Sequence, residues 1–418
     1  MRDAIRPLLI LAAALVPAAC HEAPTRPSPI TELPRALTAG ERALVAADDR
    51  FAFALLRAVS AQESADSNLF LSPLSVSMAL GMTVNGAAGA TRDSMLHALQ
   101  LDGLTMAAVD SGYRSVIDLL RNLDPGVAFT LANSIWYRNT IQPGQAFLDT
   151  VRTWFDARVS ALDFASPAAV TTINDWVNAQ TRGKIPTIVD DIPDSVIMYL
   201  INAIYFKGSW TQRFDAALTR DAPFHLRGGG SVTARMMEHR DAAPALYLSQ
   251  GGVTVVDLPY AGRAFAMTIV LPASADGIDS LAAGLTRERW DAWMAALEST
   301  DVLVTMPKFK LTFEREMRPY LAALGMDLAF RCGEADFTPL FPAAGTQTCI
   351  TRVKHKTYVD VYEEGTEAAA VTSVEVGVTS VPAGPVRVVV DRPFVVAIRE
   401  RLTGTILFLG RVTNPGAS

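Results

Sequence analysis

The sequence predicts a mixed α+β fold built as one unit, and three observations carry that expectation. Helix-like periodicity comes early and strand-like alternation later, with some of each throughout. No internal repeat and no linker-like stretch follows residue 42. Half of the 418 residues are hydrophobic and 19% are charged, which suits a large buried core and excludes a generally disordered chain. Length alone would also allow two or three domains. A formal net charge of -6 with no long basic run gives nucleic-acid binding no electrostatic support.

The first twenty residues stand apart. Arg2 and Arg6 precede an apolar run from Pro7 to Val16, then small residues and Cys20. That pattern is an export signal, with an apolar run too short for a convincing membrane span. Cys20 after Ala18-Ala19 resembles a bacterial lipoprotein cleavage site, although Pro17 stands where an aliphatic residue is usual. Ordinary secretion with Cys20 incidental is the other reading. Residues 21–41, Pro-rich from His21 to Pro34, are expected to be a flexible tether without a core. The folded domain is then 42–418.

Within it, Leu44, Val45, Phe51, Phe53, Leu55 and Leu56 recur at near-helical spacing and predict a helix over 42–59. Asn68 to Leu71 reads as a short strand, and Ser72-Pro73 opens a helix with Ser72 as its cap. Gly86 to Thr91 lacks the Lys-Ser/Thr end of a phosphate loop and reads as a turn and a helix start. Phe129 to Tyr137 predicts a strand, and Ala168 to Gly183 a helix ended by glycine. Val196 to Phe206 is nearly all apolar, as in a central strand buried on both faces, and Asn202 inside it needs a hydrogen-bond partner. Strand-like pieces with turns fill 221–275, Trp290 to Leu297 is helical, and Val302 to Phe313 reads as one strand. Cys332 and Cys349, in an exported chain, are candidates for a disulfide; two buried thiols are the alternative.

The least ordinary stretch runs from Glu363 to Val381. From Thr366 on it is rich in Val and Thr, with no Pro and no positive charge, a composition that pairs readily as β-structure. Gly365 at its entry allows a hinge. Thr366, Ala368, Ala370 and Thr372 would share one strand face, small and uncharged, with Glu367 and Ala369 on the other.

Glu363-Glu364-Gly365-Thr366-Glu367-Ala368-Ala369-Ala370-Val371-Thr372 resembles the hinge of the serpin family, the serine protease inhibitors. The likeness continues in Asp391 to Phe394 and Gly404 to Pro415, and upstream in Asn68 to Ser75 and Asn202 to Trp210, covering about residues 42 to 415. It implies helices packed around a large central sheet, further sheets, and an exposed reactive loop over about 363–385. It also implies site residues: Ser72, Ser75, Asn202 and His355 at the shutter where the central sheet parts, with Asn202 partnered by His355. Trp210 would lie at the breach where the loop enters, with Lys308 paired to Glu363. Counting forward from Gly365 by the family's usual loop length puts the reactive bond at Thr379-Ser380, with Val376 and Val378 as nearby candidates. All are small or β-branched and neutral, so the implied target is an elastase-like or subtilisin-like serine protease, held in a covalent complex.

No enzyme motif competes with this. G-x-S-x-G and H-E-x-x-H are absent, and His225, His239 and His355 stand in no metal-ligand spacing. The expectation is an inhibitor that is not an enzyme, needs no cofactor or metal, works as a monomer, and meets a membrane only through a lipid on Cys20. A non-inhibitory serpin acting as a carrier or binding protein, and an envelope protein with a structural role, are the competing readings.

Overall fold

In a computed structural model of the chain, the described residues are 28–366 and 384–417. The elements run α1 (Ala39–Gln62), β1 (Leu69–Leu71), α2 (Pro73–Val84), α3 (Gly89–Ala98), α4 (Met106–Leu123), β2 (Val127–Arg138), α5 (Gln145–Phe155), β3 (Arg158–Leu162), α6 (Pro167–Gln180) and β4 (Met198–Ser209). Five strands follow, β5 (Asp215–His225), β6 (Ser231–Glu238), β7 (Ala243–Gln250), β8 (Val253–Pro259) and β9 (Phe265–Pro272). Then come α7 (Gly277–Ala283), α8 (Arg287–Ala296), β10 (Glu298–Pro307), β11 (Phe309–Glu316), α9 (Arg318–Leu321), β12 (Lys354–Tyr362), β13 (Gly365–Thr366), β14 (Val386–Val389), β15 (Phe394–Glu400) and β16 (Ile406–Val412).

The expected early helices form where the periodicity placed them, and their ends follow capping chemistry. Thr38 and Glu41 make a reciprocal capping box at the start of α1. Ser72 caps α2 with Pro73 in the first turn. Residues 28–38 depart from the expectation of a free tether: Ile30 and Leu33 pack on the core, Ile30 N–H donates to the Gly262 carbonyl at 2.8 Å, and Arg35 pairs with Glu41. Two apolar side chains in an otherwise polar, Pro-rich stretch are enough to hold it down.

Two sheets organise the rest. One runs β1-β16-β15-β9-β8-β7-β10-β6-β5, with β14 added in parallel to β10. The other runs β11-β12-β13-β4-β2-β3. The stretch expected as one strand, Val302 to Phe313, is two: β10 belongs to the first sheet and β11 to the second, with Lys308 at the crossing. Alternation continues through the break, so periodicity alone could not show it. β4 also differs from expectation. Ala203 to Phe206 are buried at every position, so both faces are covered there, but Met198 to Leu200 and Asn202 are only half-buried.

The main core lies between the inner face of the second sheet and α1, α2 and the first sheet, and includes Phe51, Phe53, Leu131, Ile204, Phe206, Val359 and Val361. α6 covers the outer face of β2 and β4 through Trp136, Ile173, Trp176, Val177, Ile201 and Ala203. Cys332 and Cys349 form a disulfide, with Cα atoms 4.7 Å apart.

Candidate functional site

The second sheet is closed at one end and parted below it. At the closed end β13 is only two residues long, wedged between its neighbours: Thr366 stands opposite Val361 of β12 and Gly208 of β4, and Gly365 opposite Tyr362 and Ser209. Only glycine fits at 365. Its φ is +158°, and an added Cβ would run into the Gly208 carbonyl oxygen and lie 2.8 Å from the Ser209 Cα. Thr366 points inward, where its hydroxyl meets the Tyr260 hydroxyl at 2.6 Å. Tyr260 in turn lies against Gly208, where a Cβ would fall 2.9 Å from the ring.

Trp210 holds the strand entry from several directions. Its N–H donates to the Glu364 carbonyl at 3.0 Å and its indole Nε1 to the Tyr362 carbonyl at 2.9 Å. Its ring stacks on Tyr260 at 4.5 Å. Phe214 N–H donates to the Glu363 carbonyl. The Glu363 carboxylate accepts from Lys308 at 2.8 Å and from the Thr219 hydroxyl at 2.7 Å. Burial raises its pKa, but the bonds from Lys308 and Thr219 outweigh that and hold it below the ordinary range.

Below Thr366, no strand lies between β4 and β12 among the described residues: β4 is paired to β2 along its length and β12 to β11, and they share β13 only at its two rungs. Carried six residues further, the β13 register would bring position 372 level with Asn202 on one side and His355 on the other. The Asn202–His355 pairing implied by the resemblance is not made. Asn202 Nδ2 donates to Asn133 Oδ1 at 2.7 Å, while its own Oδ1 is buried without a partner. His355 Nε2 accepts from the Ser72 N–H at 3.0 Å. The two side chains line the same cavity, and each makes its hydrogen bond elsewhere. Burial lowers the His355 pKa to about 4, so the imidazole is neutral, with its proton on Nδ1. Ser72 caps α2 through Ser75 N–H and donates its hydroxyl to the Leu407 carbonyl, so both of its roles are filled. Ser75 lies on the wall of a cavity of about 400 Å³ under the open interval, with Met198, Asn202 and His355.

Glu363, Glu364, Gly365, Thr366, Trp210 and Lys308 are therefore gathered at one end of the sheet, and Ser72, Ser75, Asn202 and His355 around its open part. Glu367, Ala368, Ala369, Ala370, Val371, Thr372, Val376, Val378, Thr379, Ser380 and Cys20 lie outside the described residues. Sequence reasoning missed Tyr260, Thr219, Asn133 and Gly208. A glycine inside a strand is a signal of close backbone approach, so Gly208 was open to detection. Tyr260 and Thr219 come from other parts of the chain and gave none. Among the described residues no group of three or more His, Cys, Asp or Glu is placed to hold a metal, and no helix is long and apolar enough to cross a membrane.

A central sheet parted below a two-residue wedge, with the chain from that wedge returning to the other sheet, defines a protein built around an incomplete sheet. The family model for "Serpin (serine protease inhibitor)" matches residues 46–415, and the chain belongs to the serpin family. Leukocyte elastase inhibitor of Sus scrofa is 35% identical over 382 residues, covering 89% of this chain and 99% of that protein. Serpin-ZXA of Oryza sativa subsp. japonica is 34% identical, covering 91% and 99%. Among solved structures, the thermophilic serpin tengpin in its native state matches with a TM-score of 0.81 at 28% identity, over 93% of this chain and 97% of that one. Human thyroxine-binding globulin, complexed with thyroxine, matches with a TM-score of 0.80 at 28% identity, over 91% of this chain and 100% of that one.

Proposed function

We propose that this protein inhibits a serine endopeptidase as a suicide substrate. The protease cuts the loop after Thr379, or at the neighbouring Val376, Val378 or Ser380, and is held as the acyl-enzyme. The freed strand then enters the interval between β4 and β12. The observation that carries this is the interval itself, with Gly365 and Thr366 already seated at its head. Continuing their register lays Ala368, Ala370 and Thr372 on the inner face, and sets Thr372 between Asn202 and His355, where the Asn202 Oδ1 lacks a partner.

The energetics support the reading. About ten new backbone hydrogen bonds at roughly 1 kcal/mol each favour insertion by on the order of 10 kcal/mol before packing is counted. With Gly365 and Thr366 already seated, the thirteen residues from 367 to 379, at about 3.3 Å each, carry the attached enzyme roughly 40 Å. Neutral, small or β-branched residues around the cut favour an elastase-like or subtilisin-like target, and the relatives from Sus scrofa and Bos taurus are named leukocyte elastase inhibitors. Arg387, the first basic residue downstream, lies in β14, already paired in the other sheet. Export with a lipid on Cys20, and action as a monomer, belong to the same proposal.

Incubation with an elastase and with trypsin tests it. A detergent-stable adduct with the elastase, whose released fragment starts within 377–381 by mass spectrometry, is the expected result. An adduct with trypsin alone would overturn the specificity. Clean cleavage by every protease, with no gain in heat stability, would favour the carrier reading, for which thyroxine-binding globulin provides a structural precedent.

A further inference from the structure

The chain that leaves α6 crosses the outer face of the second sheet, over the open interval. Ile204 and Phe206 of β4 and Val359 and Val361 of β12 point into the main core, so by alternation Tyr205 and Tyr358 point outward. Tyr205 comes three residues before Gly208, and Tyr358 three before Val361, the two partners of Thr366. The two tyrosines are therefore level with each other on opposite banks. The Arg182 guanidinium lies over the Tyr205 ring, 4.8 Å from its centre, and the Lys184 ammonium over the Tyr358 ring, at 5.2 Å. Lys310 of β11 also approaches Tyr358, at 5.6 Å. Only Gly183 separates the first two cations, so a single turn holds both banks. That turn is well anchored. Arg182 has φ +50°, a left-handed conformation that bulky side chains rarely adopt, and Gly183 follows with φ +83°. Gly183 N–H donates to the Asn178 carbonyl at 2.8 Å and Ile185 N–H to the buried Thr181 hydroxyl at 3.0 Å. Ile185 joins Ile173 and Val177 in the apolar cluster beneath α6. Further on, Asp190 accepts from Lys354 of β12 at 2.6 Å.

We propose that residues 182–190 form a strap that sets the rate at which a strand enters the interval, with Arg182 holding the β4 bank and Lys184 and Asp190 the β12 bank. The event it controls is the insertion proposed above, and the strap rests on that reading. A strand entering the interval turns every second side chain to the outer face, and passing between Tyr205 and Tyr358 it must part the contacts between ring and cation. Each such contact at a partly exposed site slows the passage by about twofold to fivefold, and the two together by about tenfold. The Asp190–Lys354 pair is exposed on the Asp190 side and adds less. Because hydrolysis of the acyl-enzyme competes with insertion, the same two cations help to decide how much protease escapes.

The test compares the full chain with its Arg182→Asn, Lys184→Gln double variant. Asn tolerates the left-handed turn and Gln keeps most of the lysine stem, so the charges go and the turn stays. Hydrogen exchange with no protease present reads the strap itself: amides of 198–207 and 354–362 should exchange about tenfold faster in the double variant, with those of β8 and β9 unchanged. On addition of an elastase, the change in Trp210 fluorescence that follows the cut should also be about tenfold faster, with a larger share of the protease retained as adduct. Arg182→Lys with Lys184→Arg should restore the unmodified rates, which a purely steric role in the turn would not require. Lys184→Gln alone, at about threefold, decides the matter if the double variant does not fold. Exchange or insertion at the unmodified rate, slower insertion, or charged replacements no better than neutral ones would each overturn the strap. Unchanged exchange with trapping intact ends the strap alone, whereas a wild type that traps no protease ends the inhibitory reading and the strap's role in entry with it.

Discussion

Single residues carry costs that a few substitutions make visible. Asp48 of α1 is buried with its Oδ1 accepting from the Ser77 hydroxyl at 2.6 Å and the Tyr113 hydroxyl at 3.0 Å. Burial raises its pKa to about 7, and the two hydroxyls only partly offset that. A carboxylate whose folded pKa lies above its unfolded value gives stability that is complete below about pH 4 and is lost as pH rises toward 7. His239 and His355, lowered to about 4 by burial, act in the opposite sense: their contribution is complete above the unfolded value of 6.5 and is lost as pH falls to 4. Between pH 4 and 6.5 the two histidines outweigh Asp48, so in the native protein these three groups together make stability rise with pH, and Asp48→Asn should steepen that rise. Urea unfolding of both from pH 4 to pH 8 should show the variant gaining on the wild type by up to roughly 1.4 kcal/mol per pH unit between 4 and 7; parallel curves would refute the assignment. Gly365→Ala sets a Cβ against the Gly208 and Ser209 backbone, which cannot yield as a side chain would. It should expel Thr366 from the sheet at a cost of about 1–3 kcal/mol, seen as a changed Trp210 fluorescence and a larger share of protease turnover without trapping.

At the scale of elements, the question is which strand completes the second sheet. Thr366→Arg would test insertion poorly, because Thr366 is already buried against Tyr260 and the change would disturb the intact protein. Ala370→Arg is cleaner. On the proposed register it faces inward only after cleavage, so the intact variant should melt as the wild type does, while burial of the guanidinium, costing several kcal/mol, turns the inhibitor into a substrate. Undiminished adduct on a denaturing gel would count against insertion along this register. The disulfide ties the segment bordering the 400 Å³ cavity back to itself across a sequence separation of 17. Replacing Cys332 and Cys349 together by Ser should lower stability by about 3 kcal/mol, measured as a shift in the denaturant midpoint under non-reducing conditions.

For the molecule as a whole, the proposal is that the intact chain is held above its lowest free energy because one strand is missing from a sheet built to hold it. Cleavage within 376–380 should then raise the melting temperature by at least about 10 °C, since on the order of 10 kcal/mol is gained on insertion. Calorimetry of the clipped and intact proteins decides this, and an unchanged transition would end the inhibitory reading while leaving the fold as it is.

The sequence by itself determined the fold class, the family and the places of most elements, because periodicity, caps and the Glu363 to Thr372 stretch are local patterns that need no partner to be read. It also placed Lys308 opposite Glu363, through the family resemblance and not through spacing. Tertiary structure alone decided that Val302 to Phe313 divides between two sheets, that Ile30 and Leu33 dock, and that Asn202 bonds to Asn133 and not to His355. It likewise decided that Gly365 and Thr366 already occupy the head of the sheet. Each of these depends on which strands lie side by side, and strand alternation is the same whichever neighbour a strand has, so only the assembled sheet could fix them.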